Sequence, residues 1–116
     1  MRILMVALAV TLLAGCAGSA MNDARTGTPY KTLTSDKPEK VVAQCVQFSW
    51  QDEAVFGVDA SAYLQPGENG GTTVYTRSAE SFVDVKTDAS ATVLNYYAQH
   101  DDFEAKRRLA ALATCL

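Results

Sequence analysis

Histidine and tryptophan each occur once in this 116-residue chain, and proline and cysteine three times each. A Ser-His-Asp triad has only His100 to use. Its neighbours Asp101 and Asp102 are too close in sequence to hold the far ring nitrogen while a nucleophile meets the near one, so His100-Asp101-Asp102 reads as a solvated turn and helix N-cap. The carboxylate pairs Asp52-Glu53 and Asp101-Asp102 are adjacent, whereas a glycosidase needs two carboxyls facing each other across about 5 to 10 Å. Gly67-Glu68-Asn69-Gly70-Gly71 lies between two alternating segments and precedes no helix, which excludes a phosphate-cradling loop. Ten Lys and Arg against thirteen Asp and Glu leave a net charge of −3. No basic patch attracts nucleic acid, which is therefore not an expected partner. Neither an enzyme nor a cofactor is expected.

Long apolar runs are also missing. The one at the start, Ile3 to Leu13, holds about a dozen residues, where a bilayer span needs about 20. With Arg2 before it and Ala14-Gly15 after it, the run describes a secretory signal segment over residues 1–15. Leu13-Ala14-Gly15-Cys16 resembles the lipobox of bacterial lipoproteins, an aliphatic residue and two small ones before a cysteine. The resemblance implies cleavage after Gly15, transfer of a diacylglyceryl group to the Cys16 sulfur and acylation of the new amino terminus. Several acyl chains make release from a membrane negligible. In that family Asp after the cysteine favours the inner membrane. Ala17 stands there in this sequence, so the resemblance implies an outer-membrane anchor with the domain facing the periplasm.

Cleavage removes one cation, Arg2, and takes the net charge from −3 to −4. Residues 16–34, rich in Ala, Gly, Ser, Thr and Asn, read as a flexible tether with a mean reach of roughly 20 to 25 Å. Residues 35–116 are left to fold, close to the size at which one core barely suffices and covalent staples become common. Cys45 and Cys115 remain after lipidation, and export carries them to an oxidising compartment, so a Cys45–Cys115 disulfide is expected. One His and two bridged Cys do not make a zinc site, and no metal is expected.

Asp36-Lys37-Pro38-Glu39 predicts a helix start, with Asp36 as N-cap, Pro38 in the first turn and Glu39 completing a capping box. Val42, Cys45, Val46 and Trp50 continue it to about Asp52 at spacings of three and four. Phe56, Val58, Ala60, Ala62 and Leu64 alternate ahead of Pro66-Gly67-Glu68-Asn69-Gly70-Gly71, the pattern of a strand entering a hairpin. Thr72–Arg77, Ser81–Thr87 and Thr92–Ala98 predict three more strands, and the segment from Asp101 or Asp102 to about Thr114 a closing helix with Lys106-Arg107-Arg108 on its polar face. The expected fold is α+β: helix, four-stranded antiparallel meander, helix, with both helices on one sheet face. Val42-Ala43-Gln44-Cys45-Val46 and Trp50 on the first helix, with a cysteine near the carboxyl end, are similar to small lipoproteins of Gram-negative bacteria, a likeness that carries no catalytic residues.

Tyr96 and Tyr97 must point to opposite sheet faces. A face away from the helices carrying Tyr63, Tyr75 and Tyr97 is either an aromatic surface for a protein partner or a set of cross-strand packing pairs on a solvated face. Trp50 reads as core. The expected function is a non-enzymatic, membrane-anchored lipoprotein making protein contacts in the cell envelope. The alternative is an inhibitor of a lytic enzyme such as lysozyme, presenting Glu68 on the Pro66–Gly71 loop to a basic cleft.

Overall fold

A computed structural model describes residues 18–116. The expected signal segment and Cys16 lie outside the described residues. The chain forms helix α1 (residues 18–25), strand β1 (Lys31–Ser35), helix α2 (Glu39–Asp52), a 3-10 turn at Glu53–Phe56, strands β2 (Tyr63–Pro66) and β3 (Thr72–Tyr75), a second 3-10 turn at Arg77–Ala79, strands β4 (Ser81–Asp88) and β5 (Ala91–Ala98), and helix α3 (Phe103–Ala113). The strands make one antiparallel sheet in the order β1-β5-β4-β3-β2. The α+β class and the meander β2 to β5 match expectation; the strand count is five, and a strand precedes α2.

The additional elements fall where a tether was expected. Lys31-Thr32-Leu33-Thr34-Ser35 holds a single large apolar residue, which is all that an edge strand with one buried face requires. Leu33 sits opposite Leu94 and packs on the core, while the Thr32 hydroxyl reaches Asn95 Oδ1 at 3.0 Å on the other face. Helix α1 buries just one large side chain, Met21, too little for a hydrophobic period to show. Residues 18–34 are thus part of the fold, not a connector ahead of it.

Two predicted boundaries also move. The alternation from Phe56 shrinks to Tyr63–Pro66: Gly57 ends the 3-10 turn at φ 77°, and Asp59 Oδ1 accepts the Ser61 N–H at 2.8 Å, closing a local turn where a ladder would run. Helix α2 begins one residue after Pro38 with no side-chain cap. The capping box is absent because Ser35 Oγ accepts the Lys37 N–H at 3.1 Å, and Glu39 reaches across to the Thr87 N–H at 2.9 Å. Helix α3 is capped as expected, with Asp102 Oδ1 accepting the Ala105 N–H at 2.9 Å.

The core lies between α2, α3 and one sheet face. Val42, Ala43, Val46 and Trp50 of α2 and Ala111, Leu112 and Cys115 at the chain's end meet Val74, Val83, Val85, Leu94 and Tyr96. The Cys45–Cys115 disulfide is formed, with Cα atoms 5.7 Å apart, and staples the two helices. Trp50 donates its indole N–H to the Arg108 carbonyl at 2.9 Å, satisfying the one polar atom it buries. No helix among the described residues is long and apolar enough to cross a membrane.

Tyr96 has a pH consequence. Its hydroxyl donates to the Ala105 carbonyl at 2.8 Å, and burial pushes the phenol from an ordinary value of 10.0 up to about 12. The unfolded chain therefore loses this proton first. The contribution is complete below pH 10 and fades as pH rises toward 12, a loss of about 3 kcal/mol for two pKa units. Stability measured from pH 9 to 12 should fall steeply in the wild type, and Tyr96→Phe should flatten that slope.

Candidate functional site

Register brings Tyr63, Tyr75, Phe82 and Tyr97 into one row across β2, β3, β4 and β5, on the face away from α2 and α3. The predicted aromatic face therefore exists. Tyr63 and Tyr75 have ring centroids 5.3 Å apart, and Phe82 and Tyr97 stack at 4.6 Å. Tyr63 stays exposed at the edge of this row, but the rest of the surface is not free. Helix α1 lies on it, with Met21 buried among Ala79, Phe82 and Tyr97, and Ala20, Ala24 and Tyr75 around them. Small residues at 20 and 24 let the helix approach while Met21 fills the gap, a use suited to its unbranched side chain.

Arg25 fastens the helix. Its Nε and Nη2 donate to the two Asp84 carboxylate oxygens at 2.7 Å each, Nη2 reaches Thr73 Oγ1 at 3.2 Å, and the guanidinium stands 5.1 Å from the Phe82 ring centroid. A bidentate guanidinium–carboxylate fork gives orientation as well as energy. The bond to Asp84 raises the Arg25 pKa further, and burial, together with Asp84, raises that of the Tyr97 phenol. Asp84→Asn should loosen α1 and quicken tryptic cleavage after Arg25 by roughly tenfold or more, since a hydrogen bond between charged groups contributes about 1.5–3 kcal/mol. The melting temperature of the remaining domain should stay near the wild-type value.

Glu68 does not stand out as a lone acid. It pairs with Arg25 at 3.5 Å, half-exposed, at the tip of a tight hairpin in which the Gly67 N–H donates to the Gly71 carbonyl at 2.9 Å. Gly71 is required there, because a Cβ on it would meet the Val85 carbonyl oxygen at 2.3 Å. Beside α1 and this hairpin a cleft of about 500 Å³ opens, lined in part by Arg25, Glu68, Asp84, Lys86, Asn95 and Tyr97. Its charges are mixed and Arg25 is already paired, so the cleft presents no field of one sign.

The residues considered for catalysis remain apart or occupied. His100 is exposed, Asp102 caps α3, and Asp101 accepts the Tyr30 hydroxyl at 2.6 Å, a bond that raises the Tyr30 pKa. Glu53 is held by Arg107, whose Nε and Nη2 reach it at 2.9 and 3.0 Å. Among the described residues no group of three or more His, Cys, Asp or Glu is arranged to hold a metal ion.

Sequence reasoning missed two buried charges, Glu53, which Arg107 holds, and Arg108. Lys106-Arg107-Arg108 is not a uniform polar face: Lys106 is exposed, Arg107 half-buried, and Arg108 only 1 % exposed. Nη1 of Arg108 donates to Ser81 Oγ at 3.0 Å, and Glu80 and Glu104 lie at 3.7 and 3.6 Å, while Nε and Nη2 have no hydrogen-bond partner. A hydrogen bond with Glu80 raises the Glu104 pKa. The signal was the helical period, since Arg108 follows Ala105 by three and precedes Ala111 and Leu112 by three and four.

Comparison with protein-family models, with curated proteins and with solved structures finds no match.

Proposed function

We propose that the protein is a non-enzymatic lipoprotein, anchored through lipid on Cys16 to the outer membrane, whose periplasmic domain makes protein–protein contacts in the cell envelope. The observation that carries this reading is the disulfide: the two cysteines beyond the lipobox are bonded to each other, the expected state in an oxidising compartment, and they leave Cys16 as the thiol available for acylation. The contacts fall to exposed apolar side chains. Val41 and Phe48 lie seven residues apart on the outer face of α2, about half exposed, with Leu64 on the edge strand β2. Exposed apolar groups that share one helix face are the kind of surface a protein partner covers.

Metabolic labelling with an alkyne fatty acid should modify the wild-type chain and not Cys16→Ala. A photo-crosslinking residue at Phe48 should capture one envelope protein in living cells, and only when Cys16 is intact. Labelling that persists without Cys16 would overturn the anchor, and failure to capture from Phe48 would remove α2 as the contact. The pairing of Glu68 with Arg25 favours protein contacts through α2 over inhibition of a lytic enzyme, because it ties the only acid of the hairpin tip to α1.

A further inference from the structure

The two ends of the sandwich differ. One end holds the β4–β5 turn between Asp88 and Ala91; the other is where Ser81 opens β4 opposite Ala98 closing β5. Helix α2 starts at the turn end, where Glu39 meets Thr87. Its 14 residues rise about 20 Å, which delivers the 3-10 turn Glu53–Phe56 to the Ser81 end. Helix α3 starts there too, five residues after Ala98, and Tyr63 heads β2 in the row of Tyr75, Phe82 and Tyr97. Four of the seven large apolar side chains exposed among the described residues gather at this end: Val55 (83 %), Phe103 (64 %), Phe56 (56 %) and Tyr63 (45 %).

Helix α1 points its beginning the same way. Ala20 and Met21 pack in the cluster of Ala79, Phe82 and Tyr97 at the Ser81 end, and Arg25 reaches Asp84 and Thr73, one row further in. Cys16 is two residues before Gly18, at most about 7 Å of extended chain. An acyl group on Cys16 therefore enters the bilayer next to this end, and there is no slack to suspend the domain above it.

We infer that the Ser81 end is a lipid-facing surface, on which Val55, Phe56, Phe103 and Tyr63 rest in the interfacial layer of the membrane that holds Cys16. The contact is hydrophobic, because a chain of net charge −4 gains nothing from anionic head groups. Arg107 fits the same position. Its guanidinium lies 4.0 Å over the Phe56 ring while paired with Glu53, an apolar stem with a neutralised head that suits a boundary between oil and water. Val41, near the start of α2, then points away from the membrane, toward partners. The inference rests on the lipoprotein reading.

The test uses the full lipidated chain in phosphatidylcholine vesicles whose acyl chains carry bromine, which quenches nearby indoles. Val55→Trp, Phe103→Trp and Val41→Trp are compared after subtracting the signal of buried Trp50. Quenching at positions 55 and 103 at least threefold stronger than at 41 is expected. A lipidated, vesicle-bound protein quenched equally at all three positions overturns the inference alone. A chain whose intact mass shows no lipid on Cys16 overturns the lipoprotein reading and the inference with it. Because all three substitutions sit at exposed positions, a retained Cys45–Cys115 bridge and wild-type melting confirm that the reporters leave the fold intact.

Discussion

Replacing Cys45 and Cys115 together by alanine should lower the unfolding free energy by about 4 kcal/mol, the chain-entropy value for a closed loop of this length, and the melting temperature by roughly 20 °C. The sequence separation is 70 residues, so the bridge restrains most of the unfolded chain. Its native surroundings are also tight: Cys115 is fully buried and Ser49 Oγ lies 3.4 Å from its sulfur. Denaturant titration with and without reductant measures the difference. A change below about 1 kcal/mol would show that the bridge contributes little beyond its geometry.

Trp50→Ala should cost about 3–5 kcal/mol, the range for emptying a large aromatic site in a core. The indole packs edge-on to Tyr96 with centroids 6.1 Å apart, and it holds α2 to α3 through the Arg108 carbonyl. Removing it leaves a cavity and breaks the hydrogen bond that links the two helices. Trp50→Phe retains the packing and loses the bond, with a smaller cost of about 1–2 kcal/mol. The difference between the two variants, read from urea midpoints, separates volume from hydrogen bonding. Alanine at 45, 50 and 115 together would remove roughly as much stability as a domain of this size has.

What could be read from the chain beforehand follows the size of the burial that each element makes. Helix α2 buries Val42, Val46 and Trp50 at helical spacing and α3 buries Leu112 among small alanines, strands β3, β4 and β5 alternate, and the two cysteines had one possible pairing. All of these were legible. Helix α1 and β1 contribute one large residue each, Met21 and Leu33, and their positions are set by tertiary partners distant in sequence: Asp84 for Arg25, and β5 for the edge strand. No local pattern records such partners. The aromatic row was legible as a face, because alternation fixes which tyrosines share a side. That the chain's own beginning covers it was not, since this depends on a fork between residues 59 apart. Arg108 is hard to read for the opposite reason: three consecutive cations suggest a solvated surface, whereas the helical period buries the third.

The disulfide has a mechanical consequence as well. A pull on the N-terminal end of the fold meets α1 first, held by the Arg25–Asp84 fork and one buried methionine. It meets β1 next, an edge strand paired only to β5. Beyond them the chain reaches Cys45, where the covalent loop to Cys115 stops further yielding. About 27 residues can pay out, roughly 95 Å when fully extended, while Phe48 stays within the closed loop. Under tension the molecule is a short strap with a hard stop. Force spectroscopy between the N-terminal end and Leu116 should record only that short extension while the bridge is intact, and a much longer one after reduction.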